Sequence, residues 1–388
     1  MASLNLAGMD FAFAAEHDAF RTVVRAFADA EIAPYAEEWD RTHEFPAETV
    51  RKMGDLGLFG LPFDEEYGGS GADFTTLCIA IEEVARVDQS VAITLEAATG
   101  LGINPIHEFG SDAQKEQWLP DLLAGRALAG FGLTEADSGS DAGQTATTAE
   151  LDGDEWVING SKVFITNSGT EMTSLVTISA RTGPNEISTI IVPSGTPGFE
   201  VEPSYRKMGW HASDTHGLVF DDCRVHAENL LGDRGRGFRQ FLSTLDDGRI
   251  AIASLAVGVL QACLEESTAY AKERRSFGKP IGSYQGVAFK IADLEVMTEA
   301  ARLLVYKAAW LKDNGQPFKQ AAAIAKLYAT EAAVTATREA TQIFGGYGFM
   351  DESLVARHYR DSKVLEIGEG TSEVQRLVIS RGLGLPVE

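Results

Sequence analysis

"LDGDEWVINGSKVFITNSG", residues 151–169, is where the pattern of the chain changes. Asp152-Gly153 is the dipeptide of a tight hairpin. The run after it, "EWVINGSKVFITN", is rich in Val, Ile, Phe and Thr and reads as a strand. "SLVTISA" (174–180), "ISTIIVPSGTPGFEV" (187–201) and "GLVFDDCRV" (217–225) repeat that composition between Gly, Pro and Asn clusters, which predicts a small antiparallel β domain over residues 131–241.

On either side the period is helical. Phe20, Val23, Val24, Phe27 and Ile32, then Leu77, Ile81 and Val84, recur at spacings of three and four, predicting an N-terminal helical domain over 9–130. Beyond Phe241, Leu245, Ile252, Leu255, Val259 and Cys263 form one stripe and Val287, Ile291, Leu294, Ala301, Leu304, Ala308 and Leu311 another. A third helix runs from Ala321 to about Phe344. Helices of this length, roughly 45 Å for 30 residues, need long partners, so 242–388 reads as an antiparallel helical bundle that oligomerises. Residues 1–8 read as a flexible extension.

Composition narrows the function. A chain of 388 residues that is 44% hydrophobic can bury a large core, and a net charge of −24 disfavours binding to nucleic-acid phosphates or anionic lipid. No apolar run approaches the ~20 residues that span a bilayer, and no leader pattern opens the sequence, so a cytoplasmic protein is expected. The cysteines at 78, 223 and 263 form no CxxC or Cys/His pattern; no metal site is expected and buried thiols are. No GxGxxG follows a strand, which argues against a Rossmann reading.

Five segments could carry chemistry. "GFGLTEADSGSDAGQ" (130–144) offers hydroxyls and open backbone N–H groups to a polar ring edge or a phosphate. "GSKVFITNSG" (160–169) places Phe164 and Thr166 on one strand face, suited to a flat heterocycle. "KERRSFGKPIGSYQ" (272–285) concentrates cations at a helix end, "QIFGGYGF" (342–349) puts glycines after a long helix, and "LEIGEGTSEVQRLVISRG" (365–382) sets Glu369 between two glycines. Each alone also reads as ordinary structure: an entry loop, a core-facing strand, a cation on the helix dipole, a C-cap, an acid at a helix N-terminus.

In their order along the chain these segments resemble the acyl-CoA dehydrogenase family, from Met9 to Gly384. "GLTEADSGSDAGQ" and "RDSKVLEIGEGTSEVQRLVISR" are similar to its two signatures, and the general likeness is to short-chain and related bacterial members. The resemblance implies an α+β multidomain fold with an N-terminal α-helical domain, a middle antiparallel β domain and a C-terminal four-helix bundle. It also implies a homotetramer built as a dimer of dimers, FAD as cofactor, an acyl-CoA substrate of fatty acid metabolism, and electron-transfer flavoprotein as electron acceptor.

Carried over by position, the resemblance puts Leu133 and Thr134 at the flavin's pyrimidine edge and Ser140 near the FAD phosphates and the CoA chain. Phe164 and Thr166 lie against the flavin, with Phe164 standing where many members have Trp. Arg274, Ser276, Phe277, Gln285, Gln342, Gly345 and Gly346 bind FAD from the neighbouring subunit, and Thr371 and Glu373 complete its site. Glu369 is the base that removes the α-proton while a β hydride goes to flavin N5. Asp246 and Arg249 lie near the CoA chain and the base loop, and Gly368 and Gly370 border the substrate.

Some members carry the base in an LDxER-like segment instead. Here that segment is "LDDGRI" (245–250) with Gly248 at the acid position, which favours Glu369. Many relatives have Tyr where this chain has Gly368, so a branched, cyclic or aromatic acyl group is expected to fit; Glu96 is a further candidate for the pocket's far end. The competing expectations are an oxidase or monooxygenase on the same fold and a non-catalytic CoA-ester-binding protein.

Overall fold

Spacing and capping account for the first third of the chain. The computed structural model describes residues 13–387, so the extension expected over 1–8 lies outside the described residues. Seven helices come first: α1 (Ala15–Glu31), α2 (Ala36–Thr42), α3 (Ala47–Asp55), α4 (Phe74–Val87), α5 (Gln89–Glu96), α6 (Asn104–Phe109) and α7 (Asp112–Leu123). Asp73 and Asp88 accept the Thr76 and Val91 N–H groups and start α4 and α5, and Ser111 with Gln114 forms a capping box for α7. In α1 the buried line is Val24 and Ala28, continued by Ile32; Val23, expected on that stripe, is 49% exposed. Helix α4 is buried almost all round and is the core helix of this region.

The sheet comprises β1 (Leu128–Gly132), β2 (Thr148–Asp152), β3 (Glu155–Thr166), β4 (Thr173–Gly183), β5 (Glu186–Pro193), β6 (Phe199–Val201), β7 (Thr215–His226) and β8 (Leu230–Leu231). The order is β6-β7-β3-β2-β4-β5-β8, with β1 beside β4. It is mixed rather than wholly antiparallel: β1 runs parallel to β4, and Thr148 of β2 pairs in parallel with Arg181. The direct hairpins β2/β3 and β4/β5 stay antiparallel, whereas β1 and β4 are joined by a long crossing that permits a parallel pair. Ala149, Trp156, Ile158, Ile165, Val176, Ile178 and Phe220 form a core of the sheet's own.

The last part is helical: α8 (Gly237–Glu273), α9 (Gln285–Asp313), α10 (Lys319–Phe344), α11 (Leu354–Ser362) and α12 (Ser372–Gly382), with a hairpin of β9 (Arg275–Ser276) and β10 (Lys279–Pro280) after α8. Buried alanines at 322, 325, 329, 333, 336 and 340 let α10 approach its neighbours closely. Contrary to the run-length expectation, α8 is long and apolar enough to cross a bilayer, but 78% of that window is buried within the protein. All three cysteines are free and buried.

One ion pair orders the segment between β1 and β2. Lys162, fully buried on β3, donates to Glu135 (2.7 Å), Thr145 Oγ1 (3.0 Å) and Ser179 Oγ (2.9 Å). Glu135 also accepts from the backbone N–H groups of Ala146 (2.6 Å) and Thr147 (3.1 Å) and from the Thr145 hydroxyl. Burial works to raise the Glu135 pKa, yet Lys162 and these donors hold it down to about 2; burial brings Lys162 down to about 8, so the pair is ionised at neutral pH. Lys162→Met leaves Glu135 buried without its cation. The expected cost is about 3–5 kcal/mol, read as a lower thermal unfolding midpoint.

Candidate active site

Glu369 lies in the turn between α11 and α12, in left-handed backbone (φ 54°), followed by Gly370 (φ 89°). The two glycines beside it have different reasons. A Cβ on Gly370 would meet Gln375 Nε2 at 2.8 Å in a backbone conformation that L-residues rarely adopt. A Cβ on Gly368 would meet only Val364 O, at 3.6 Å, an ordinary van der Waals contact, so its neighbours do not require glycine there. The turn is pinned from both sides: Lys326 Nζ (2.9 Å) and Gln375 Nε2 (2.8 Å) both donate to the Gly370 carbonyl, and the Thr371 hydroxyl caps α12.

The residue as a whole is half-buried, but both carboxyl oxygens of Glu369 are out of solvent and receive no hydrogen bond. Burial raises its pKa, against the opposing influence of Glu96, Lys326 and Arg249. Position 248 on α8 explains how the carboxyl fits. A Cβ there would lie 2.2 Å from Glu369 Oε2, so the volume taken by this carboxylate exists because residue 248 is glycine. An acid on α8 and an acid at 369 would compete for one space.

The nearby cations are occupied. Arg249, 4% exposed, is ion-paired with Asp246, which also meets Lys319 Nζ at 3.2 Å. Lys326 is fully buried, and burial brings its ammonium down to about 8 although Glu369 acts to raise it. No motif marked Lys326, which sits among the small residues of "AAAIAKLYA" as a typical helix-surface lysine would.

The sheet and the segment entering it carry a second group of the expected residues. Leu133 is buried, Thr134 and Thr166 are half-buried, and Ser140 is exposed. The Thr134 carbonyl accepts the Val163 N–H (2.9 Å), which fastens the segment to β3. The β3/β7 register shifts between Lys162 and Ile165, and Phe164 there has φ 64°. Lys162 faces inward before this bulge; after it Ile165 does, leaving Phe164 66% exposed with its ring 5.4 Å from that of Tyr205. Asn167 Nδ2 donates to the Thr94 carbonyl (3.1 Å), bringing the end of β3 against α5, whose last residue is Glu96.

The remaining candidates lie elsewhere in the same chain. Arg274 follows α8, 26 positions beyond Gly248 and so roughly 39 Å away along the helix. Its guanidinium stands 5.5 Å from the Tyr347 ring centroid, and Tyr270 stacks on Phe344 at 4.1 Å, so the β9–β10 hairpin and the turn after α10 are neighbours. Arg274, Ser276, Phe277, Gln285, Gln342, Gly345 and Gly346 are all exposed there, Phe277 at 95%; Gly345 also caps α10. Glu373 is exposed on the first turn of α12.

The chain thus carries a buried carboxyl without a hydrogen-bond donor at Glu369 and an uncovered aromatic ring at Phe164. Family models for the N-terminal, middle and C-terminal domains of acyl-CoA dehydrogenase match residues 14–126, 130–223 and 235–384. The chain belongs to the acyl-CoA dehydrogenase family, a family of flavoproteins, and is an enzyme of acyl-CoA dehydrogenation. A probable acyl-CoA dehydrogenase of Bacillus subtilis, YngJ, is 51% identical over 97% of this chain and 100% of its own. Butyryl-CoA dehydrogenase from Megasphaera elsdenii is 43% identical with a TM-score of 0.94, covering 97% of this chain and 100% of that one. A chain from a structure concerning the electron transferring flavoprotein of Acidaminococcus fermentans is 41% identical, also with a TM-score of 0.94, covering 97% and 99%.

Gly248→Ala tests the shared volume. The methyl must displace the Glu369 carboxyl, and a shift of about 1 Å lowers the rate of flavin reduction by an acyl-CoA roughly 10²-fold in stopped flow, with FAD content retained.

Proposed function

We propose that this enzyme converts an acyl-CoA thioester to the trans-2-enoyl-CoA with Glu369 as the base, and that the observation carrying this reading is the buried, donor-free carboxyl of Glu369. An acid held out of water has its pKa moved toward the range useful for a base at neutral pH. Glu369 takes the α-proton onto a carboxyl oxygen as the Cα–H and Cβ–H bonds break and the C=C bond forms. The backbone N–H of Glu369 donates to the thioester carbonyl, where negative charge develops. Gly368 and Gly370 leave the substrate close access to the backbone, and Asp246, Arg249 and Ser140 border the CoA chain.

FAD fits the residues present. The ring of Phe164, exposed at a strand bulge between the half-buried Thr134 and Thr166, offers a face to a flat heterocycle, with Leu133 beside it. Bound there, FAD would supply the acceptor for the β-hydrogen and its electron pair, with an electron-transfer flavoprotein as the onward electron acceptor. Thr371 and Glu373 complete the holding residues of this subunit. The separation of roughly 39 Å along α8 supports a second chain supplying Arg274, Ser276, Phe277, Gln285, Gln342, Gly345 and Gly346, hence a homo-oligomer, read as a tetramer. Exposed Phe289, Val296 and Leu303, seven residues apart on α9, favour burial against another subunit. The acidic composition favours a cytoplasmic setting and a role in fatty acid metabolism is the accompanying reading.

The lack of a side chain at Gly368, where neighbours would tolerate one, supports a branched, cyclic or aromatic acyl group. Anaerobic mixing of the yellow protein with straight, branched and aromatic acyl-CoA thioesters, followed at the flavin absorbance, tests both parts. Glu369→Gln is expected to slow bleaching about 10²- to 10⁴-fold. Gly368→Tyr is expected to lower kcat/KM for bulky thioesters about tenfold or more relative to butyryl-CoA. Unaltered bleaching in Glu369→Gln would remove this base from the mechanism. Arg274→Ala is expected to yield protein of weakened FAD retention, measured as the ratio of visible to ultraviolet absorbance after gel filtration.

A further inference from the structure

Glu369 is one half of a carboxyl pair. Glu96 is the last residue of α5, where the backbone passes into the π-helical turn Ala97–Ile103, and it is fully buried. The Thr99 hydroxyl bonds the Leu95 (2.9 Å) and Glu96 (3.2 Å) carbonyls, and Gly100 presents no side chain toward Glu96 Oε1. The two carboxyls stand within hydrogen-bonding reach of each other, and all four of their oxygens are buried without a donor among the described residues.

Two anions in one dry volume repel strongly, and a carboxylate can only accept hydrogen bonds. A single proton on the pair removes the repulsion and supplies a donor. The surroundings decide which residue holds it. Glu369 faces Lys326 of α10 and Arg249 of α8, which favour its anion, whereas the charged group facing Glu96 is Glu369. At the far end of α5, Asp88 and Gln89 meet Arg357 and His358 of α11, roughly 12 Å along the helix from Glu96. Burial, then Glu369, raises the Glu96 pKa well above the carboxylate range.

We propose that Glu96 is a positioning residue, a neutral carboxylic acid whose O–H donates to the Glu369 carboxylate and so keeps the base ionised and aimed. This inference rests on the reading of Glu369 as the base. Without the donor, burial acts on Glu369 with less opposition, so its pKa rises and the acid limb of the reaction moves to higher pH.

The test is the pH dependence of anaerobic flavin reduction in the FAD-loaded protein, with butyryl-CoA as the probe. Glu96→Leu removes the donor and is expected to shift the acid limb upward by about one to two pH units. Glu96→Gln keeps an N–H donor and is expected to leave the limb near its wild-type position. A limb unmoved in Glu96→Leu, or moved equally in both variants, overturns the proposal. Should Glu96→Leu fail to fold, infrared difference spectra of wild type against Glu96→Gln at neutral pH decide: a protonated-carboxyl stretching band present in wild type and lost in the variant supports the proposal, and its absence from wild type overturns it. Wild-type bleaching in Glu369→Gln would instead overturn the base assignment itself.

Discussion

Removing a carboxyl group from water without giving it a cation in direct contact raises the free energy of its anion, and the structure around Glu369 is organised by that constraint. Three elements enclose the group: α5 ends against it, α8 omits a side chain at Gly248 to admit it, and α10 sends Lys326 to the adjacent Gly370 carbonyl. The ammonium is thereby fixed near the carboxylate without quenching it as an ion pair. Arg249 is held back in the same way by Asp246. Glu369 keeps the raised pKa that burial confers, and the cations temper rather than cancel it.

The sheet is ordered by an interior interaction of its own. The Lys162–Glu135 pair fastens the segment from Leu133 to Thr147 to β3 through buried, charge-assisted hydrogen bonds. The bulge beside Lys162 then turns Phe164 outward, and Asn167 locks the strand's end onto α5. Loop, strand and helix are therefore set relative to one another by a few interior contacts; within "GLTEADSGSDAGQ" Glu135 and Ser138 are engaged internally, whereas Ser140 is exposed.

The two glycines beside Glu369 are not equivalent. Glu369 and Gly370 both occupy left-handed backbone, which Lys326 and Gln375 hold in place through one carbonyl. Gly368 needs no such conformation, and a Cβ there would make only an ordinary contact with Val364 O. Identical residues two positions apart thus differ: backbone geometry and a close neighbour demand glycine at 370 and not at 368.

Much of this was legible in the residues. Periodicities of two and of three to four located the helices, the sheet and the long C-terminal helices, because burial of one face leaves a repeat in the sequence. The signature segments and Glu369 between its glycines stood out because their composition is unsuited to an ordinary core. Three things could be decided only by the tertiary structure. The parallel β1/β4 pair depends on how a long connection returns, the exposure of Val23 on how α1 is rotated, and the apposition of Glu96, Gly248, Lys326 and Glu369 on packing between helices distant in sequence. Local pattern records which face a residue is on, whereas which buried groups meet is set by the packing of whole elements, and here that packing sets the burial and the charges that act on the Glu369 carboxyl.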